Sequence, residues 1–288
     1  MSRMIKGLWA IASVIAALAA GPSSAATITK WDFNSIGLVG APFNSPAPTT
    51  GSGTATGTFS TLGNNAGDMS MTNTYNGGNT ESDDVVSTSG TANPAFTENT
   101  WRIRGVTHNG WATKAAGANQ YSQGIQLTTS TVGYSNIQFS FDWYSTTQGI
   151  RDLQFQYNTN VANPAGWTNF GGTSPTGTYI ATSNDYYNAP GSPTITVDLS
   201  SIAGANNDPN LGVRLVSAFD STGHIPGDYA SAALSSGQTV IYNNSSGNWR
   251  FANLAFSGTA TSVPEPASIA LAGIGLIVGL LWADRRSG

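Results

Sequence analysis

Residues 137–143 have the sequence IQFSFDW, which is the clearest indication of the fold class of this chain. Its large apolar side chains alternate with polar ones at a period of two, which is typical of a β-strand with one buried face. The same alternation occurs at residues 121–127, 153–157, 195–199 and 211–215. Shorter runs that indicate edge strands or further strands lie at residues 31–33, 101–103 and 249–256. Together these runs predict about ten strands in an all-β, antiparallel, jelly-roll-like β-sandwich.

The segments between these runs predict how the strands are connected. Gln148-Gly149 separates the two clearest strands, so residues 139–158 are predicted to form a hairpin. Asn and Asp side chains at residues 206–210 favour a turn that joins the predicted strands at residues 195–199 and 211–215. Residues 34–96 are rich in Gly, Thr, Ser and Asn, and they predict long surface loops around one or two weak strands near residues 54–61.

The composition excludes several classes of function. Charged residues make up only 9% of the 288 residues, and the formal net charge is −4. A nucleic-acid partner is excluded, because phosphate binding requires a clustered basic surface. The chain has no cysteine, so it has no disulfides, no thiolate metal sites and no thiol nucleophile.

The first 26 residues have the organisation of a secretory signal peptide. Arg3 and Lys6 supply the positive region, residues 8–20 form an apolar stretch, and small residues at 23–26 provide a cleavage site. Signal peptidase and the export machinery are therefore expected partners. The exported domain is expected to span residues 27–262, with the loop-rich region as its first third.

The other end of the chain predicts a membrane helix with a motif before it. The apolar run at residues 267–283 is just long enough to span a bilayer. Arg285 and Arg286 follow it as a membrane stop signal that stays in the cytoplasm. The motif before the helix consists of Val263, Pro264, Glu265 and Pro266. Its prolines keep this stretch extended and accessible to a processing enzyme.

A Pro-Glu-Pro motif, an apolar helix and a basic end, in this order at residues 263–288, resemble the PEP-CTERM sorting signal. The resemblance implies recognition by an exosortase in the inner membrane of a Gram-negative bacterium. It also implies transient anchoring in that membrane and cleavage near the motif. Delivery to the cell surface, the outer envelope or the extracellular matrix would follow.

No catalytic motif of a hydrolase, zinc protease or phosphate-binding enzyme occurs in the sequence. The two histidines, His108 and His224, lie in turn-like sequence and are predicted to be solvated. Asp142, Asp152 and Asp198 alternate with core residues and are predicted to lie on the solvent face of a sheet. Glycoside hydrolysis needs two carboxylates that flank one bond, and no pair is selected here. We therefore expect the chain not to be an enzyme.

The densest acidic group consists of Glu81, Asp83 and Asp84, whose oxygens are suitable calcium ligands. Their spacing matches no calcium-binding loop, so a solvated loop is the alternative and no cofactor is expected.

Four aromatic residues are candidates for stacking against sugar rings, because they lie in turn-like sequence rather than on an alternating face. They are Trp111, Trp167, Tyr186 and Tyr187. Packing beneath a loop is the alternative for the two tryptophans. The tryptophans predicted to lie in the core are Trp31, Trp143 and Trp249.

These features favour an exported, non-catalytic structural or polysaccharide-binding protein. A nearly neutral surface rich in hydroxyl and amide groups suits weak multivalent contact with exopolysaccharide or with other copies, because low charge weakens self-repulsion. One alternative is a polysaccharide-active hydrolase or lyase on a jelly-roll fold. Another is a protein that assembles into filaments through its edge strands.

Overall fold

The computed structural model describes residues 24–37, 45–56, 83–87, 99–104, 120–145, 149–171, 178–180, 186–187, 194–232, 241 and 248–261. The chain divides into two compact units, one formed by Ala25–Thr259 and the other by Met1–Ser24 with Ala260–Gly288. Nearly all of the second unit, including the predicted membrane helix and most of the predicted signal peptide, lies outside the described residues. Within the described residues, no helix is both long enough and apolar enough to cross a membrane.

The described residues form thirteen strands and one short helix. In chain order these are β1 (Ala25–Trp31), α1 (Phe33–Ile36), β2 (Gly53–Thr56), β3 (Asp83–Ser87), β4 (Asn99–Arg104), β5 (Gly124–Thr129), β6 (Tyr134–Ser145), β7 (Asp152–Asn158), β8 (Thr168–Asn169), β9 (Thr178–Ile180), β10 (Tyr186–Tyr187), β11 (Ile195–Asp198), β12 (Leu211–Ala218) and β13 (Asn248–Ala260).

These strands form two antiparallel sheets. In the seven-stranded sheet the order is β10-β6-β13-β4-β3, with β1 also paired to β13 and β11 also paired to β6. In the six-stranded sheet the order is β2-β5-β12-β7-β8, with β9 also paired to β7. The predicted all-β, antiparallel sandwich is confirmed.

The predicted hairpin at residues 139–158 is wrong. Strand β6 belongs to the seven-stranded sheet and β7 to the six-stranded sheet, so the chain crosses between the sheets. The crossing residue Ile150 is fully buried. Its carbonyl oxygen accepts hydrogen bonds from Nε1 of Trp249 at 2.7 Å and from Oγ of Ser145 at 3.0 Å. A two-residue turn does not bridge the ~10 Å between packed sheets, whereas the six residues between β6 and β7 do.

The core lies between the two sheets, and Phe139 on β6 joins them. Its ring centroid lies 4.8 Å from that of Phe256 in the same sheet and 5.8 Å from that of Phe155 on β7 of the other sheet. The three tryptophans predicted to be in the core are each 0% exposed, which confirms that prediction. The alternating apolar residues of the sequence therefore meet in one continuous core.

Strand β13 contains a break in its alternation that the backbone accommodates. Trp249 and Phe251 are buried in the first half, and Leu254 and Phe256 are buried in the second. Three positions rather than two separate Phe251 from Leu254, which places the halves out of phase. Asn253 lies between them with φ 50°, a left-handed conformation typical of a bulge. The irregularity keeps both apolar pairs in the core.

The loop-rich first third contains more regular structure than the sequence predicted. Strand β2 confirms the weak strand expected near residues 54–61, although it covers only Gly53–Thr56. Strand β3, Asp83–Ser87, was not predicted, because its apolar run is only two residues long. The helical turn α1 begins after Asp32, whose side chain accepts a hydrogen bond from the N–H of Asn34 at 3.1 Å.

Replacing Gly124 with Ala is expected to weaken the pairing of β5 with β12. Gly124 has φ 147°, and a Cβ there would lie 2.0 Å from the backbone oxygen of Leu215. Backbone strain and overpacking each cost about 1–3 kcal/mol, so urea denaturation should show a loss of about 2–6 kcal/mol. The matched control is Gly133→Ala, where φ is 82° but nothing lies within 4 Å of the added Cβ. The explanation by backbone clash fails if both variants lose the same stability.

Candidate functional site

The outward face of the six-stranded sheet is polar and is the strongest candidate for a binding surface. Residues directly opposite in antiparallel register share a face, so the pairing of β12 with β5 and β7 defines this surface. Its central positions are Gly212 and Arg214 on β12, Gln126 and Thr128 on β5, and Gln156 and Asn158 on β7. Of these positions, Gln126 and Thr128 are half-buried rather than buried, so their amide and hydroxyl groups are the ones that a hydroxylated ligand can reach.

Arg214 lies at the centre of this face and is 3% exposed. Its Nε donates a hydrogen bond to Oε1 of Gln126 at 3.0 Å. Its guanidinium carbon lies 3.9 Å from the centroid of the Trp167 ring, which is a cation–π contact. One side of the indole therefore rests on a fixed cation, while Trp167 as a whole is only half-buried.

The segment that carries Trp167 is tied to the sheet by Asn158. The amide nitrogen of Asn158 donates to the backbone oxygen of Asn163 at 2.8 Å, and its Oδ1 accepts from the N–H of Asn160 at 2.8 Å. Both amide atoms of one side chain thus hold the turn that precedes Trp167. This anchoring limits the freedom of the ring before any ligand binds.

Close packing of Trp167 on the sheet requires glycine at position 212. A Cβ on Gly212 would lie 2.3 Å from Cγ1 of Val161 and 2.9 Å from Cη2 of Trp167. Real Cβ atoms do not approach other atoms so closely. The missing side chain at Gly212 therefore lets both residues pack directly on β12.

A second group of polar side chains continues across the same face. Nε2 of Gln156 donates to Oδ1 of Asn169 at 2.9 Å, and Nδ2 of Asn169 donates to the hydroxyl of Tyr121 at 3.1 Å. Asn169 and Tyr121 are half-buried. The hydrogen bonds hold these groups in place at the rim of the face.

A cleft of about 210 Å³ lies at the β2–β5 side of this face. Its lining consists of Ser52, Gly53, Thr128, Thr129, Ser130, Val161, Pro209 and Asn210. None of these residues is charged. The cleft therefore has a neutral lining with several hydroxyl groups and two apolar side chains.

A separate ionic cluster lies inside the protein around Arg151. Nε of Arg151 donates to Oδ2 of Asp152 at 2.9 Å, and its Nη2 donates to Oδ1 of Asp220. Both carboxylate side chains are 0% exposed. The cluster joins the start of β7 to the segment after β12, so it stabilises the fold rather than presenting carboxylates to a substrate.

The two carboxyl groups of this cluster have opposite pKa shifts. Burial raises the pKa of Asp152, although hydrogen bonds from Ser221 and the charge of Arg151 oppose that shift. Burial also disfavours the ionised form of Asp220. There, hydrogen bonds from the Thr222 hydroxyl and from the backbone N–H of Ile225, together with Arg151, outweigh burial and lower the pKa to about 2.

The three predicted sugar-stacking residues that the structure describes belong to different sheets. Trp167 lies on the six-stranded sheet, whereas Tyr186 and Tyr187 form β10 and pair with β6 in the seven-stranded sheet. Trp111 lies outside the described residues. Of the three described candidates, only Trp167 lies on the polar face.

Two of the three predicted calcium ligands lie in the described part of the chain. Asp83 and Asp84 lie in β3, paired with β4, and not in a loop, while Glu81 lies outside the described residues. Among the described residues, no three acidic or histidine side chains cluster so as to hold a metal ion. His224 is exposed, as predicted, and His108 lies outside the described residues.

The predicted solvent exposure of the strand carboxylates is right for one residue and wrong for two. Asp198 is exposed on β11. Asp142 is 6% exposed, and its Oδ2 accepts from Nδ2 of Asn253 at 2.7 Å. Asp152 is 0% exposed and pairs with Arg151. Alternation indicates which side of a sheet a residue faces, but not whether another segment covers that side.

The central residues of the candidate site were not recognised in the sequence. Arg214 stands between Val213 and Leu215 in an apolar run, and a lone charge in such a run indicates a buried partner. The partner Gln126 alternates with apolar residues in the same manner. The register that brings the two together depends on the folded sheet.

The chain carries a sorting signal at its C-terminal end. Residues 262–286 match the family model described as the PEP-CTERM protein-sorting motif. This match shows the resemblance inferred from the Pro-Glu-Pro motif, apolar run and basic end. It implies an exosortase-sorted protein with a cell-surface destination. The match begins two residues after β13 ends at Ala260.

No curated protein matches the chain. Among solved structures, the chain is similar to a non-crystalline cellulose specific carbohydrate-binding module (CBM28), with 11% identity, a TM-score of 0.31, and coverage of 62% of this chain and 82% of that one. It is also similar to a cleaved adhesin domain of Lys-gingipain from Porphyromonas gingivalis, with 9% identity, a TM-score of 0.32, and coverage of 73% and 99%.

Asp220→Asn is expected to destabilise the protein by about 2–3 kcal/mol at pH 7, because it removes the charge that pairs with buried Arg151. The pKa of Asp220 is lowered from 3.8 to about 2 in the folded protein. Its stabilisation is therefore present above pH 4 and is lost as the pH falls toward 2. Urea denaturation at several pH values should show the difference from the unmodified chain shrinking over that range.

The control for this experiment is Asp198→Asn on exposed β11, which should cost less than about 1 kcal/mol. A loss for Asp220→Asn that stays constant from pH 7 to pH 2 would contradict the charge-based account.

Proposed function

We propose that this chain is an exosortase-sorted surface protein whose β-sandwich binds polysaccharide without catalysing its cleavage. The observation that carries the proposal is the Trp167 ring, which rests on buried Arg214 at the centre of a polar sheet face. The sorting motif at residues 262–286 supports the destination.

The chemistry of the face is complementary to a sugar ring. A pyranose has apolar C–H groups on its faces and hydroxyl groups around its rim, so it pairs with an aromatic ring surrounded by amides. Trp167 supplies the ring, while Gln126 and Asn169 are half-exposed amides nearby. Because these groups are already held by hydrogen bonds, little conformational entropy is lost on binding.

The described carboxylates favour binding over catalysis. A glycosidase needs two carboxylates at an accessible bond, about 5–10 Å apart. Asp152 and Asp220 are close to one another, but both are buried and both are bridged by Arg151. The central positions of the polar face on β5, β7 and β12, as given above, include no carboxylate.

Processing at both ends completes the proposal. Signal peptidase would remove residues 1–26 during export, and residues 267–283 would anchor the protein briefly in the inner membrane. An exosortase-type enzyme would then cut near Pro264-Glu265-Pro266. Because β13 ends at Ala260, this cleavage would leave the sandwich intact.

Trp167→Ala is expected to weaken binding to the exopolysaccharide of the producing bacterium by at least about tenfold, since about 1.4 kcal/mol of aromatic contact is lost. Affinity electrophoresis or calorimetry with the full-length chain in mild detergent measures the effect. Trp167→Phe, which keeps an aromatic ring, should retain part of the affinity. Thr196→Ala, on an exposed position of the other sheet, should retain all of it.

Unchanged affinity in Trp167→Ala would contradict the proposal. Shortening of the polysaccharide during the assay would favour the hydrolase or lyase alternative. Light scattering that rises with protein concentration, with no polysaccharide binding, would favour filament assembly.

A further inference from the structure

The cleft beside β2 and β5 is continuous with the Trp167 face. Val161 lines the cleft and also contacts the position of Gly212, on which Trp167 packs. Thr128 lines the cleft as well and lies opposite Gly212 in register. A chain of sugar units that stacks on Trp167 therefore has an adjoining space for a neighbouring unit.

The cleft offers polar groups that are free to bind a ligand. Ser52 and Asn210 are exposed, and their side chains make no hydrogen bond to any described residue. By contrast, the hydroxyl of Thr129 is engaged with Thr29 at 2.7 Å, and that of Thr128 is engaged with Thr54 at 2.6 Å. The hydroxyls of Thr128 and Thr129 are therefore held in place, whereas the side chains of Ser52 and Asn210 are available to a ligand in the cleft.

The backbone around Asn210 is fixed independently of its side chain. Its N–H donates to Oδ1 of Asp208 at 2.7 Å, and its carbonyl oxygen accepts from the N–H of Val161 at 3.2 Å. The amide of Asn210 is thus presented to the cleft from a rigid turn. A change to this side chain removes the amide while both backbone hydrogen bonds remain.

The size of the cleft limits what it can hold. Its volume is about 210 Å³, which is below the ~300–1,000 Å³ of pockets that enclose drug-sized ligands. It therefore suits a single sugar ring rather than a disaccharide. Val161 and Pro209 supply apolar surface for the C–H groups of such a ring.

The charge of the described cleft lining disfavours an acidic sugar. Among the lining residues that the structure describes none is a cation, so a carboxylate or sulfate there would be desolvated without a partner from that lining. On the adjoining sheet face, Arg214 is buried and is already engaged with Gln126 and Trp167. Asp208, which directly precedes the lining residue Pro209, is a buried acid. The whole chain carries a net charge of −4.

We propose that this cleft is the subsite for one neutral sugar residue, so that the polysaccharide bound beside Trp167 is an uncharged hexose polymer. The inference rests on the proposed polysaccharide-binding function and adds to it a second contact point and the class of ligand.

The test measures binding of the full-length chain, in mild detergent, to a neutral glucan, a mannan and a galactan, with polygalacturonate as the acidic comparison. The unmodified chain is expected to bind at least one neutral polymer more tightly than polygalacturonate.

Asn210→Ala should weaken that binding about five- to tenfold through loss of a hydrogen bond. Ser52→Tyr, which fills the cleft, should weaken it at least as much. Ser201→Ala is the matched control, because Ser201 is exposed and lies outside the cleft lining.

The outcomes separate this proposal from the one on which it rests. If Trp167→Ala loses binding while Asn210→Ala and Ser52→Tyr bind normally, the subsite is wrong and the proposed function stands. Equal or tighter binding of polygalacturonate overturns the neutral ligand class. If the unmodified chain binds none of these polymers but binds the exopolysaccharide of the producing bacterium, the neutral hexose class is wrong and the proposed function stands; if it binds neither, both proposals fail. Thermal unfolding of each variant identifies any loss that comes from misfolding.

Discussion

Strand β13 pairs on both of its edges and organises the sandwich around it. This strand lies between β6 on one side and both β4 and β1 on the other. The left-handed Asn253 brings its two halves into phase, so that Trp249 and Leu254 both point into the core. Trp249 then donates to the carbonyl oxygen of Ile150, where the chain crosses from one sheet to the other. Strand β13, which pairs on both edges, ends at Ala260, two residues before the sorting motif begins.

The polar face is the outer side of the six-stranded sheet, whose inner side packs against the core. Every residue of β12 is buried, which means that both faces of this strand are covered. On one face the apolar residues meet the core, and on the other Arg214 lies beneath Trp167. A buried cation is costly unless it is paired, and here Gln126 and the indole ring are its partners. The cation and the ring therefore hold each other in place, which positions an aromatic ring for a ligand.

The sequence predicts the parts of this structure that depend on local pattern. Alternation at residues 137–143 identified a half-buried strand, and turn residues around Trp167 distinguished it from Trp143 and Trp249 in the core. The sorting signal was recognisable because it is a linear motif that does not depend on the fold. The Asn- and Asp-rich turn at residues 206–210 was predictable from its residue types, and it lies between β11 and β12. The path from β6 to β7 was not predictable, since a short polar segment serves equally well as a hairpin turn or as a crossing between sheets. The Arg214–Gln126 pair was not predictable either, because their sequence separation is 88 residues and only strand register brings them together.

Export, membrane anchoring and cleavage at the sorting motif can be tested by the intact mass of the protein recovered from the envelope and medium of its native host. We expect a species that lacks the N-terminal signal peptide and ends near Glu265, with the whole sandwich through Ala260 retained. Such a species would show that the folded domain is released from the membrane helix and delivered to the surface or matrix. A protein that keeps its full C-terminal tail and stays in the inner membrane would contradict the account.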